Sequence, residues 1–446
     1  MKPLCAHSPT LPAVAYDPLT DPHLPAPDEL PGPTLWRNVA FQRVWAAATV
    51  SIFGSLITRV ALPFVAIITL NADSIGVAMV RSMDLIAGLA VGLVAGAWVD
   101  RLRRRPVLVG ADLGRAALLA LIPIAALGGW LSLPLLLIVA LLTAVLTTFF
   151  DAADNAFLPT IVPRHDLVRA NGAIAASSSV SEFLAFGLAG FLVQILTAPI
   201  AILIDAFSFV VSAGFLGSIR VKEAPPPGKA EREPVLREIA AGMRLVAGNP
   251  ILRATTLASM AMAATWGVFS AIWYLFAINE LGLDAAAIGI IAAVGGVSSL
   301  FAALLTERAT QRFGVGAVVI GGVLVGILGF FFVPLAPAAS PLVAMLFLIG
   351  QQLVTDPAMT AYDITDTSLR QAIVHDRQLG RVKATVTVAV LLAQLIATLG
   401  AGFIAIEIGL RAVLVIGPAV GLLGVVALWF SPVRRVRTIE SVRGQP

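Results

Sequence analysis

Cysteine is almost missing from this chain of 446 residues. The one present, Cys5, sits in a polar stretch, which excludes disulfides, cysteine-ligated zinc and an embedded cysteine nucleophile. Histidine is nearly as scarce. His7, His23, His165 and His375 all lie in polar segments, so a histidine-held metal inside the apolar body is ruled out as well. Charge is the third shortage: 13% of residues are charged, 58% are hydrophobic and the mean hydropathy is +0.93. A soluble globular chain carries about 25% charge to face water, so most of this surface faces lipid. The net charge of +4 and pI near 9.6 raise nucleic acid as a partner. The basic residues are spread over short loops rather than gathered on one module, and nucleic acid is excluded. No Gly-x-x-x-x-Gly-Lys-Ser/Thr loop occurs, which excludes drive by a nucleotide bound to this chain.

What fills the chain is a succession of apolar runs. About 20 residues of helix cross roughly 30 Å of hydrocarbon, and runs of that length fall near 45–70, 75–99, 106–127, 133–153, 168–197, 199–219, 250–279, 285–306, 314–336, 341–365, 381–406 and 410–431. Membrane β-strands would be shorter and would alternate in hydropathy. The pattern predicts an all-α membrane protein of twelve transmembrane helices in two six-helix bundles. Residues 1–34 hold nine prolines and no apolar run, the composition of a disordered tail rather than a signal peptide. The expected units are that tail, a bundle over 35–219, a charged loop over 220–249, a second bundle over 250–431 and a tail over 432–446.

Of the 30 Lys and Arg residues, the loops sharing a side with Arg101 carry 23, while the other side has at most Arg81 and Arg411. The positive-inside rule then places both termini in the cytoplasm, as an even number of spans requires. A multi-pass protein of the plasma (inner) membrane, bacterial in kind and acting as a monomer, is expected.

The halves echo each other. At an offset of 212, Phe150-Asp151-Ala152-Ala153-Asp154 meets Tyr362-Asp363-Ile364-Thr365-Asp366, and Ala189-Gly190-Phe191 meets Ala401-Gly402-Phe403. At an offset of 207, Asp100-Arg101 and Arg105 meet Glu307-Arg308 and Arg312. Duplicated halves are a transporter signature, with the substrate site between them near mid-membrane.

The loop Gly96-Ala97-Trp98-Val99-Asp100-Arg101-Leu102-Arg103-Arg104-Arg105 resembles the signature loop of the major facilitator superfamily, and Asp112 with Arg115 resembles the acid–arginine pair that often follows it. Phe53-Gly54-Ser55 with Ala61-Leu62-Pro63, and Leu158-Pro159-Thr160-Ile161-Val162-Pro163 with Ala170-Asn171-Gly172, are similar to the drug:proton antiporter-3 branch, which includes the enterobactin exporter and macrolide efflux proteins. The likeness covers roughly 40–431. It implies a proton-coupled exporter of a small amphipathic molecule, siderophore or drug-like, with protons and the bilayer as its other partners, the proton gradient as energy source and no cofactor. Phe186-Gly187-Leu188-Ala189-Gly190 keeps the glycines of the antiporter signature without its proline, which leaves proton-coupled import as the alternative. A membrane-embedded enzyme would need a concentrated catalytic motif, and a sensor would need a folded soluble domain; neither is visible.

Candidate residues follow from charge and position. Asp100, Arg101, Arg104 and Arg105, with Asp151 and Asp154 as partners, are expected to latch the termini side of the two bundles, and Glu307, Arg308, Asp363 and Asp366 to repeat the arrangement. Asp112 and Arg115, spaced i and i+3, share a helix face as a structural pair or part of the gate. A charge at mid-span costs about 2.5–3.5 kcal/mol on insertion scales and is a functional candidate by default. Glu182, Asp356 and Asp84 are the candidates for proton coupling. Arg59, Ser55, Trp266, Trp273, Gln352 and Gln394 are those for substrate contact, Arg59 being an alternative structural partner of Asp84.

Overall fold

The computed structural model describes residues 35–99, 101–163, 166–221 and 235–442, and among these every regular element is helical. Helix α1 runs Val39–Phe64, α2 Ser74–Val99, α3 Arg104–Leu127, α4 Leu133–Ile161, α5 Leu167–Leu196 and α6 Ala198–Ser218. A short α7, Val235–Gly248, precedes the second set. That set is α8 Pro250–Leu275, α9 Ala285–Phe313, α10 Val315–Phe330 extended by Phe332–Leu335, α11 Pro341–Ile373, α12 Asp376–Ile408 and α13 Leu410–Trp429. Eleven are long and apolar enough to cross a membrane, and α5, bent by 48° between Arg169–Glu182 and Gly187–Leu196, makes the twelfth. Even the 20-residue α13 reaches about 30 Å at 1.5 Å per residue. The protein is a multi-pass membrane protein.

The repeat is closer in backbone geometry than in sequence. Asn38 and Asn249, 211 positions apart, cap α1 and α8 alike, each side-chain oxygen accepting from two backbone N–H groups in the first turn. Both helices then end in a five-residue π-turn, Val65–Thr69 and Phe276–Glu280. Each π-turn is followed by a left-handed residue, Asn71 at φ 49° and Gly282 at φ 64°. The tight α5–α6 turn places Thr197 at φ 74°, and Gly409 takes φ 85° at the matching α12–α13 turn.

Twelve crossings bring the start of α1 and the end of α13 to one side, the termini face; the opposite side is the far face. The connection over 220–249 differs from the expected loop. Its residues 235–248 form the amphipathic α7, which packs on the starts of α8 and α12. Val235, Leu236, Ile239, Met243 and Val246 recur at helical spacing between charges that hide the run. Gly242 is buried at the α7–α12 crossing, where a Cβ would fall on Thr385. The tail after 431 is docked as well. Its Arg437 and Val436 carbonyls accept from the Val315 and Gly316 N–H groups at 3.1 and 2.8 Å, satisfying donors that a helix start leaves unpaired.

Candidate functional site

The bundles meet along two seams that are near-copies of each other. In one, α5 crosses α9: a Cβ on Gly190 would lie 2.8 Å from the Gly289 Cα and closer still to the Ala285 carbonyl oxygen. In the other, α12 crosses α2: a Cβ on Gly402 would lie 2.7 Å from the Ala78 Cβ and 2.9 Å from the Ser74 carbonyl oxygen. Gly190 and Gly402 are 212 apart; Ser74 and Ala78 are each 211 before Ala285 and Gly289. The Ser74 hydroxyl donates to the Gly402 carbonyl at 2.8 Å across the second seam. Ser74 and Ala285 are the first residues of α2 and α9, so both close approaches lie at the far face. That face is shut by backbone against backbone.

Toward the termini face the seams part. On one face of α5, Ala189 and Ala185 are fully buried, whereas Glu182, Ala175 and Asn171 are exposed. Gly187, whose Cβ position is 3.6 Å from Ala293, is five residues beyond Glu182, about 7.5 Å along the helix. Glu182 therefore stands just below the seal. Gln394, its counterpart at an offset of 212, is half-buried on α12, one turn from Leu391, whose side chain lies 3.5 Å from the Cβ position of Gly88 on α2.

A second charged group gathers near the α1–α2–α8 boundary. Arg81 and Arg59 both act electrostatically on the Asp84 carboxylate and on the Tyr274 hydroxyl, without closing to a direct ion pair. The Arg81 Nε is buried with no hydrogen-bond partner among the described residues. Arg81 belongs to the second turn of α2, inside the expected 75–99 run and near its far-face end, the side on which the charge count set it. Tyr274 meets Phe64 edge-on at 5.9 Å across the bundle boundary.

Several other candidates make their contacts within one bundle, Trp266 while remaining exposed. Asp356 and Gln352 occupy the space that a Cβ on Gly295 of α9 would take, which places both along the α9–α11 seam. Trp266 packs edge-on against Phe330 at 5.3 Å, and Trp273 against Tyr274 at 5.0 Å. Ser55 is half-buried beside Gly54, whose missing side chain admits Asp205 and Ser208 of α6.

The charged pairs near the termini face are built unequally in the two halves. Arg115 bonds Asp112 and lies between the Phe150 and Phe209 rings, 4.3 and 4.0 Å from their centroids. It is buried between α3, α4 and α6, so this pair sits inside one bundle rather than at the boundary where a gate contact would form. Arg370 forms an ion pair with Asp366 at 2.7 Å and donates to the Ser259 hydroxyl at 2.8 Å, with Tyr362 on the same hydroxyl at 2.9 Å. Phe150 and Tyr362 are equivalent at an offset of 212, yet the guanidinium comes from α3 in one half and α11 in the other. Gly322, buried on α10, leaves that region to the Tyr362 Cβ at 3.0 Å.

The expected pairing of the signature-loop arginines with Asp151 and Asp154 is not made. Arg105 instead donates to the Leu216 and Gly217 carbonyls at the end of α6. Arg101, Glu307, Arg308, Asp151 and Asp363 are exposed, and no ion pair among the described residues joins the two bundles. The close approaches between the bundles lie at the far face, whereas Asn171 and Ala175 of α5, like these charges, are exposed toward the termini face. Asp100 lies outside the described residues. Arg104 has a further interaction of its own.

Two six-helix bundles hinged about a one-sided seal define a membrane transporter fold. The sequence profile of the Major Facilitator Superfamily matches residues 44–362, and the chain belongs to that family. Macrolide efflux protein A of Streptococcus pyogenes is 27% identical over 226 residues, 50% of this chain and 54% of that protein. Multidrug efflux pump Tap of Mycolicibacterium fortuitum is 29% identical over 219 residues, 48% and 53% of the two chains. The chain spans about half the length of these curated relatives. A bacterial homologue of the iron transporter ferroportin, crystallised in an inward-facing state, superposes with a TM-score of 0.70 at 15% identity, over 89% of this chain and 98% of the other. The family and its structural neighbours are transporters rather than enzymes.

Proposed function

We propose that this protein is a secondary active transporter that exports a small amphipathic molecule, drug-like or siderophore-like, by alternating access in exchange for protons. The observation that carries the reading is the paired glycine seal closing one face while Glu182 stands exposed immediately beneath it. Rocking the bundles about mid-membrane would part the two seams and bring the exposed termini-face charges together. Glu182 would take a proton when open to the far side and release it to the termini side. Substrate would lie between Glu182, Gln394 and the Arg59–Arg81–Asp84–Tyr274 group. The lysine and arginine bias supports cytoplasmic termini in the inner membrane of a bacterium. The efflux relatives favour export over import.

The test uses purified protein in vesicles with an imposed pH gradient and a radiolabelled macrolide as probe. Gradient-dependent transport is expected in wild type, and its loss with retained gradient-independent exchange in Glu182→Gln. Unchanged gradient dependence in that variant removes Glu182 from proton coupling. Accumulation rather than depletion in intact cells expressing the gene reverses the direction.

A further inference from the structure

Away from the cleft, a cavity of about 550 Å³ opens at the termini face among the ends of α1, α3 and α6. Arg43, Arg105 and Arg220 line it together with Gly217, Ser218 and Val39. We infer that this cavity binds the phosphodiester headgroup of an anionic glycerophospholipid.

Four observations carry the assignment. The first is depth. Arg105 is the second residue of α3, Arg43 stands little more than a turn into α1, and Ser218 is the last residue of α6. Three spans end here, and headgroups lie at the level where hydrocarbon stops. The second is charge. Three guanidiniums share one cavity, and among the described residues no carboxylate lines it; guanidinium is the side chain whose planar fork fits phosphate oxygens in pairs.

The third is fixed orientation. Arg43 donates to the Ser218 carbonyl at 2.6 Å, and Arg105 donates to the Leu216 and Gly217 carbonyls. These bonds hold both guanidiniums at the α6 terminus without removing their charge, and Arg43 keeps further N–H groups of its five. Gly217 and Ser218 keep the floor low. The fourth is the rim. Val39 is exposed beside the cavity, and Trp36, also exposed, stacks edge-on with Trp45 at 5.3 Å and Phe41 at 5.5 Å. Aromatic clusters of this kind mark the membrane–water boundary. An apolar rim offers acyl chains a path that free phosphate would not use, which commits the site to a lipid.

Native mass spectrometry of delipidated full-length protein, incubated with phosphatidylglycerol or with phosphatidylcholine of the same acyl chains, tests this. Phosphatidylglycerol adducts are expected to dominate. Arg220→Gln and Arg43→Gln should each weaken them about fivefold, the effect of one basic residue near an anionic surface, and Arg43→Lys should weaken them less. Arg220 is exposed and makes no hydrogen bond or ion pair with a described side chain, so its variant stays folded. Inorganic phosphate should not displace the lipid. Equal retention of the two lipids, unchanged phosphatidylglycerol adducts in the double glutamine variant, or displacement by millimolar inorganic phosphate would each overturn the assignment.

Discussion

The far-face seal depends on two residues having no side chain, and a single methyl group tests it. A Cβ on Gly190 would stand 2.8 Å from the Gly289 Cα and 2.9 Å from its nitrogen. These are backbone atoms, which cannot rotate away as a side-chain tip would. Overpacking of this kind costs about 1–3 kcal/mol, borne only while the seam is shut. The far-face-open state escapes it, so Gly190→Ala should shift the equilibrium toward that state by roughly 5- to 150-fold. Because Cys5 is the only cysteine, Cys5→Ser gives a background free of thiols. Ala78, 1% exposed in the opposite seam, is the reporter: Ala78→Cys should react with an impermeant maleimide applied from the far side. With Gly190→Ala added, the labelling rate should rise at least severalfold, although the two positions share no contact. Gly214→Ala is the control, since a Cβ there meets nothing within 4 Å. An unchanged rate at position 78, with faster labelling only at a cysteine placed at Ala285, would show local deformation of one seam and refute the rocking of two rigid bundles.

Other consequences can be measured in the same preparations. Asp112→Asn strips the charge partner from the buried Arg115, and breaking a buried pair costs about 3–5 kcal/mol; a markedly lower thermal midpoint in detergent is expected. Thr197→Gly should raise that midpoint, because Thr197 holds a left-handed φ of 74° where the equivalent turn has Gly409, and such backbone strain costs on the order of 1–3 kcal/mol. Gly242→Leu should release α7 from α12, read as faster proteolysis within 235–248 while the spanning helices remain protected.

Much of this architecture was legible in the sequence, because hydropathy is set by the solvent. Twelve apolar runs matched twelve spans, with ends differing mainly where polar turns such as Asp363–Arg370 continue α11 beyond the hydrocarbon. The repeat was legible through Asp151–Asp154 against Asp363–Asp366 and through Gly190 against Gly402. Hidden were features carried by geometry rather than residue type. Asn38 and Asn249 cap equivalent helices, and the paired π-turns leave no composition signal. Helix α7 was masked by Arg237, Glu238 and Arg244 interrupting its apolar stripe. Asp356 and Gln352 were candidates by charge and polarity alone; the small Gly295 opposite draws them into the α9–α11 seam, a relation that spacing on one helix cannot reveal.

The unequal origin of Arg115 and Arg370 limits how far one half of this protein can stand in for the other. A chimera carrying α3 and α4 in place of α10 and α11 would set one guanidinium over the aromatic residue and delete the one that Ser259 of α8 receives. Replacing α10 alone would crowd two guanidiniums around Tyr362. The two halves have thus become complementary parts, each tuned to its own neighbours, and segments exchanged between them must travel with every helix that touches the transplanted charge.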